Sequence, residues 1–163
     1  MGLEVLYLVR HGQAIPSHPR GDRYRALTPD GRLTVGRQAT RAATLGLEVD
    51  LALSSPYLRA LETRSLFAAV RGVVQGDSEV FAPEGDPAEA LVELASWGAE
   101  YPRIAVFTHN PLVTTLAELL VVPGSVPISG PEALGFDTAT VMALKFDQGF
   151  APHLGQPEWI LNP

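Results

Sequence analysis

The chain has 163 residues and a mass of 17.5 kDa, about the size of one domain with one core. With 46% hydrophobic and 18% charged residues it can bury enough apolar surface to fold alone, which excludes intrinsic disorder. Twelve Lys+Arg against eighteen Asp+Glu leave a charge of −6, which argues against generic nucleic-acid binding and makes any anion site local; zero cysteines exclude a disulfide scaffold, a thiolate zinc site, an iron–sulfur cluster and a cysteine nucleophile.

Residues 3–9 are a short run of β-formers bounded by Gly2 and by Arg10-His11-Gly12, the pattern of a buried strand that stops at a turn. Thr28-Pro29 then opens a helix carrying Leu33, Ala39, Ala42 and Leu45. Residues 50–53 predict a second strand, followed by Ser54-Ser55-Pro56. Ser55 is the expected N-cap and Pro56 the first residue of a helix carrying Leu58, Leu61, Phe67 and Val70. Asp86-Pro87-Ala88-Glu89 is a capping-box pattern that leads into Leu91, Leu94 and Ala95. Residues 104–107 predict a third strand, and Thr108-His109-Asn110-Pro111 follows, with Asn110 as the expected N-cap for Leu112, Leu116, Leu119 and Leu120. Later strands are expected over 138–146 and 158–161, with the Asp147-Gln148-Gly149 turn marking an antiparallel edge. The Gly- and Pro-rich stretches 15–27, 72–87 and 121–136 read as loops within one domain spanning 1–163. This alternation predicts an α/β fold: a three-layer α/β/α sandwich whose mainly parallel sheet carries an antiparallel edge strand.

In an open α/β sheet, ligands bind beyond the carboxyl ends of the strands, beside helix N-termini. Arg10 and His11 end the first predicted strand, Arg59 lies in the first turn of the helix after the second, and His109 ends the third. Guanidinium and imidazole donors gathered there make a site for a phosphoryl group or a phosphate-like anion. The histidines show no HxH or HExxH pairing, so no metal and no cofactor is expected, and His18 and His153 read as loop residues among prolines. The opening MGLEVLYLV is too short and insufficiently basic for a signal peptide, and no run approaches the roughly 18 apolar residues of a membrane span. The expectation is a cytoplasmic protein with neither a membrane nor a nucleic-acid partner.

The segment Leu8-Val9-Arg10-His11-Gly12 resembles the RHG signature of the histidine phosphatase, or phosphoglycerate-mutase-like, superfamily. Three further segments match in order: Leu27-Thr28-Pro29-Asp30-Gly31, the run from Ser54-Ser55-Pro56 through Arg59 to Thr63, and Thr108-His109-Asn110-Pro111-Leu112-Val113. In its short length, in the His109 segment and from Gly124 to the Trp159–Pro163 tail, the chain is similar to the SixA-type phosphohistidine phosphatases.

The resemblance implies a phosphoglycerate-mutase-like fold and a metal-independent phosphatase. His11 is then the nucleophile that carries a phosphohistidine intermediate, and Arg10, Arg59 and His109 hold the non-bridging oxygens. Gly12 would let the backbone pass close to the ligand, and Arg25 would be an extra phosphate ligand. Ester-cleaving members place a glutamate after the second arginine; Glu84 is the candidate general acid here, or else a solvated loop charge. The implied partner is a phosphorylated protein bearing phosphohistidine. The alternatives are a small phosphorylated metabolite, cleaved or rearranged by a phosphomonoesterase or mutase, and a catalytically silent phosphate-binding domain.

Overall fold

The structure is a computed structural model and describes residues 2–126 and 135–163; the 127–134 part of the connection expected at 121–136 lies outside them. The elements follow the order β1 (Val5–Arg10), α1 (Pro29–Thr44), β2 (Leu51–Ser54), α2 (Leu58–Ser65), β3 (Val74–Asp77), α3 (Pro87–Gly98), β4 (Arg103–Thr108), α4 (Leu112–Leu120), β5 (Val141–Lys145) and β6 (Gln156–Leu161). They build one six-stranded sheet in the order β3-β2-β4-β1-β5-β6. The β1–β4, β2–β4 and β2–β3 pairs are parallel, whereas β5 runs antiparallel to both β1 and β6.

Strand residues alternate between two apolar clusters because successive side chains point to opposite faces. Leu6, Leu8, Leu51, Leu53, Ile104, Val106, Met142 and Leu144 pack with Ala90 and Leu94 of α3 and with Leu112, Leu116 and Leu120 of α4. Tyr7, Val9, Ala52, Ala105, Phe107, Val141 and Ala143 pack on the other face with Val35 and Ala42 of α1 and with Phe67 and Val70 beyond α2. The sheet is thus buried on both sides, as the near-continuous apolar runs require.

Several boundaries differ from the sequence expectation. β3 was expected as loop; it is an exposed edge strand of sequence VQGD, with neither hydrophobic alternation nor a β-former after Val74. The helix expected to run past Phe67 ends at Ser65, and Phe67 and Val70 are instead buried through a 3₁₀ turn, Ala68–Val70. The strand expected from residue 138 starts at Val141, because Ala139 adopts φ 67° and donates its N–H to the His11 carbonyl at 3.0 Å. Ser55 and Asn110 are not the helix caps: Tyr57 precedes α2 and Pro111 precedes α4. The Thr28 and Asp86 caps do form, accepting from Gly31 N–H at 2.9 Å and Ala88 N–H at 2.7 Å.

The Leu27–Gly31 segment clamps the turn that follows β1. Thr28 N–H donates to the Gln13 carbonyl at 2.9 Å, and the Thr28 hydroxyl donates to Gln13 Oε1 at 2.8 Å. A Cβ on Gly31 would lie 2.2 Å from the Gln13 carbonyl oxygen, and one on Gly12 would lie 2.5 Å from Val35 Cγ2. Gly12 therefore serves close packing of the turn against α1, a need distinct from the ligand approach expected of it. Gly31→Ala should cost about 1–3 kcal/mol, because a backbone carbonyl cannot step aside. Gly36→Ala, with nothing within 4 Å of the new Cβ in the interior of α1, should gain up to about 1 kcal/mol. Thermal unfolding should show melting shifts of opposite sign, roughly 2–4 °C per kcal/mol.

Candidate active site

The parallel register that pairs Arg10 with Thr108 puts the next residue of each strand, His11 and His109, side by side. The His11 N–H donates to the Thr108 carbonyl at 3.0 Å, and the imidazole centroids lie 4.9 Å apart. On the far side of β4, Ser55 N–H extends the β2 ladder onto the Phe107 carbonyl at 2.9 Å, and α2 then carries Arg59 inward. His11, Arg59 and His109 are 8%, 4% and 1% exposed, and an arginine is rarely so buried unless it is paired.

The tautomer of His11 follows from one hydrogen bond. His11 Nδ1 lies 2.7 Å from the Gly12 carbonyl oxygen, which can only accept, so Nδ1 carries the proton and Nε2 keeps a free lone pair. Burial first, then the nearby Arg59, Arg10 and Arg25 charges, push the His11 pKa down to about 4. The imidazole is thus neutral and nucleophilic at neutral pH. Burial, followed by His11 and Arg59, lowers His109 to about 2. His109 is therefore neutral at neutral pH, whereas a bound dianion would draw a proton back toward it.

Ser55, expected as a helix cap, has another task. Its Oγ accepts from Tyr57 N–H at 3.2 Å and lies 2.7 Å from His109 Nε2. Buried Ser55 has no other acceptor for its hydroxyl hydrogen among the described residues, so the hydroxyl donates to Nε2 and leaves a hydrogen on Nδ1. His109 Nδ1, Arg10 Nε and Arg59 Nε are the three buried side-chain polar atoms without a partner among the described residues. Leaving such donors unpaired costs about 1–3 kcal/mol each, so three in one site describe a cradle for an oxyanion.

Supporting contacts hold the cradle in place. Arg10 Nη1 and Asn110 Nδ2 both donate to the Phe136 carbonyl, at 2.7 and 3.0 Å, and Thr63 Oγ1 bridges Gly12 N–H and the Arg59 carbonyl. Arg25 reaches the site's edge, with Nε on the Ile15 carbonyl at 2.6 Å and Nη1 on Asp22 Oδ1 at 2.7 Å. Glu84 does not join them: it is exposed, and its carboxylate hydrogen-bonds none of His11, Arg10, Arg59 or His109. The sequence reading passed over Asp22, which binds Arg59; the only signal was its place three residues before Arg25. Among the described residues no cluster of three or more His, Asp or Glu side chains is arranged to hold a metal ion, and no helix is long and apolar enough to cross a membrane.

The sequence model of the histidine phosphatase superfamily (branch 1) matches residues 6–80, a span that includes Arg10, His11 and Arg59. No curated protein sequence matches the chain significantly. Among solved structures, the chain is similar to SixA from Agrobacterium tumefaciens, at 22% identity and TM-score 0.80 with all of both chains covered. It is similar to the protein histidine phosphatase SixA complexed with tungstate, at 24% identity and TM-score 0.79, covering 98% of this chain and 97% of that one. A phosphoserine phosphatase from Entamoeba histolytica, solved with 3-phosphoglyceric acid, shares the fold at 15% identity and TM-score 0.65, covering 98% and 97%.

The two depressed histidines make stability depend on pH in a defined window. Below the unfolded value near 6.5 the unfolded chain takes up protons that folded His11 and His109 do not accept until pH falls to about 4 and about 2. Stability is therefore full above pH 6.5 and falls toward pH 4, by about 1.4 kcal/mol per pH unit for each histidine. Asp22 and Asp50, whose pKa values are lowered by Arg25 and Arg103 respectively, act only below this window. Urea unfolding between pH 7 and 4.5 should show this slope, and His109→Asn should roughly halve it; an unchanged slope would contradict a buried neutral His109.

Proposed function

We propose that the chain is an enzyme of the histidine phosphatase superfamily, a metal-independent phosphohistidine phosphatase acting on a phosphorylated protein. The reading rests on one observation: the three unpartnered buried donors, Arg10 Nε, Arg59 Nε and His109 Nδ1, belong to the residues around the lone pair on His11 Nε2. In the first step that lone pair attacks phosphorus in line, forming an N–P bond as the bond to the leaving group breaks with its electron pair. Arg10, Arg59 and His109 hold the equatorial oxygens, where charge accumulates. Water then attacks the phosphorus of phospho-His11 and releases inorganic phosphate, returning the electron pair to Nε2.

The arrangement of carboxylates favours phosphoramidate over ester substrates. An alkoxide leaving group needs a positioned acid, whereas a phosphohistidine nitrogen leaves readily once it takes a proton from solvent. Glu84 is exposed away from the cradle's hydrogen bonds, and Asp22 is held ionised by Arg25 and Arg59. A small-molecule phosphomonoesterase is the second reading, supported by the fold shared with the phosphoserine phosphatase.

A substrate panel tests the assignment: a phosphorylated histidine-phosphotransfer domain, p-nitrophenyl phosphate, phosphoserine and 3-phosphoglycerate. The phosphohistidine protein should be turned over fastest; efficient hydrolysis of an alkyl phosphate with a large loss in Glu84→Gln would assign the enzyme to metabolites instead. His11→Ala should abolish both turnover and phosphoenzyme formation. His109→Ala should lose about 10²–10³-fold in rate while still forming phosphoenzyme slowly, since it supplies charge stabilisation and not the bond. Equal residual activity in the two variants would contradict these roles.

A further inference from the structure

Arg59 is nearly sealed from solvent, yet both of its terminal nitrogens are engaged by one half-exposed residue. Asp22, which opens the 3₁₀ turn Asp22–Tyr24, accepts from Arg59 Nη1 with its main-chain oxygen at 2.9 Å and from Nη2 with Oδ2 at 3.0 Å. Its Oδ1 accepts from Arg25 Nη1 at 2.7 Å, so one carboxylate bridges two guanidiniums. The Asp22 side chain is 52% exposed against 5% for Arg59, so the carboxylate occupies the solvent side of the pair. Its charge also reaches His109, where it opposes the arginines.

A group needed only to orient Arg59 would not have to be charged, because the main-chain oxygen and a neutral amide can accept the same bonds. The charge itself has a consequence. Arg10, Arg25 and Arg59 form a triply cationic site, while Asp137 faces Arg10 only as an exposed residue with no hydrogen bond to it. Such a site would hold the phosphate dianion as tightly before and after reaction as during it, and that kind of binding does not raise turnover. We propose that Asp22 is a charge-tuning, positioning residue that shares Arg59 and Arg25 with the bound phosphoryl group, aligning the clamp while weakening its grip on free phosphate. Three guanidiniums against this one carboxylate leave two positive charges, which matches a dianion. The proposal rests on the phosphate site assigned above and extends it to product release.

The test measures binding alone, by calorimetric titration of inorganic phosphate at pH 8 and low salt. Asp22→Asn keeps an acceptor on Arg59 and removes the charge, so its Kd for phosphate should fall about tenfold, the scale expected of a partly screened charge a few ångströms from a dianion. Asp22→Ala should move in the same direction, and Asp22→Glu should return the Kd to the wild-type value. Phosphate binding that is unchanged or weaker in both uncharged variants, with wild-type protein binding normally, would overturn the tuning role and leave the phosphate site standing. Failure of the wild-type protein to bind phosphate would overturn both.

Discussion

Everything at the site depends on the parallel pairing of β1 with β4. The register Arg10↔Thr108 means that the two strands end together, and the residue after each end is a histidine. Neither strand alone could hold two imidazoles 4.9 Å apart in a buried pocket. The pairing also explains why the pocket tolerates such burial, because the ladder continues through His11 N–H to Thr108 and through Ser55 N–H to Phe107. Main-chain groups at the site's floor are thus satisfied within the sheet, and the unpaired donors are left to side chains.

The short motifs divide their labour between chemistry and mechanical support. Arg10, His11, Arg59 and His109 face the cradle, whereas Thr28, Gly31 and Thr63 never do. Thr28 and Gly31 lock the β1–α1 turn through Gln13, and Thr63 ties Gly12 to the Arg59 carbonyl. His11 sits between these ties, so its ring is oriented by its own neighbour's carbonyl at Gly12. Gln38 performs the same service from α1, donating to the Ala139 and Leu161 carbonyls at 3.0 and 2.7 Å and anchoring the turn that meets His11 from the β5 side. A preorganised cradle of this kind requires little reorganisation when charge develops on a phosphoryl group.

Charge on this protein is distributed against its average. A chain of net charge −6 gathers arginines behind β1, β2 and β4, and the low dielectric there keeps both histidines neutral. Elsewhere several arginines sit in ion pairs at or near the surface, such as Arg103 with Asp50 at 2.7 Å and Arg64 with Asp77 at 2.8 Å, and exposed pairs of this kind contribute little to stability. Only in the cradle do buried guanidinium nitrogens lack partners among the described residues. That contrast sets Arg10 and Arg59 apart from the other arginines.

The sequence by itself determined the fold class, the order of the main strands and helices, and which four residues, Arg10, His11, Arg59 and His109, the strand ends bring together, because apolar runs, caps and motif residues are local signals along the chain. It also carried the Thr28 and Asp86 caps, since a cap is a contact across two or three positions. Tertiary structure alone decided the rest. β3 exists because an edge of β2 was available to pair with, and its exposed VQGD sequence has no periodicity of its own. Ser55 binds His109 across 54 positions, Asp22 binds Arg59 across 37, and Gly12 is small because of Val35. Such contacts depend on which strand ends lie together, a property of sheet order that local sequence cannot encode.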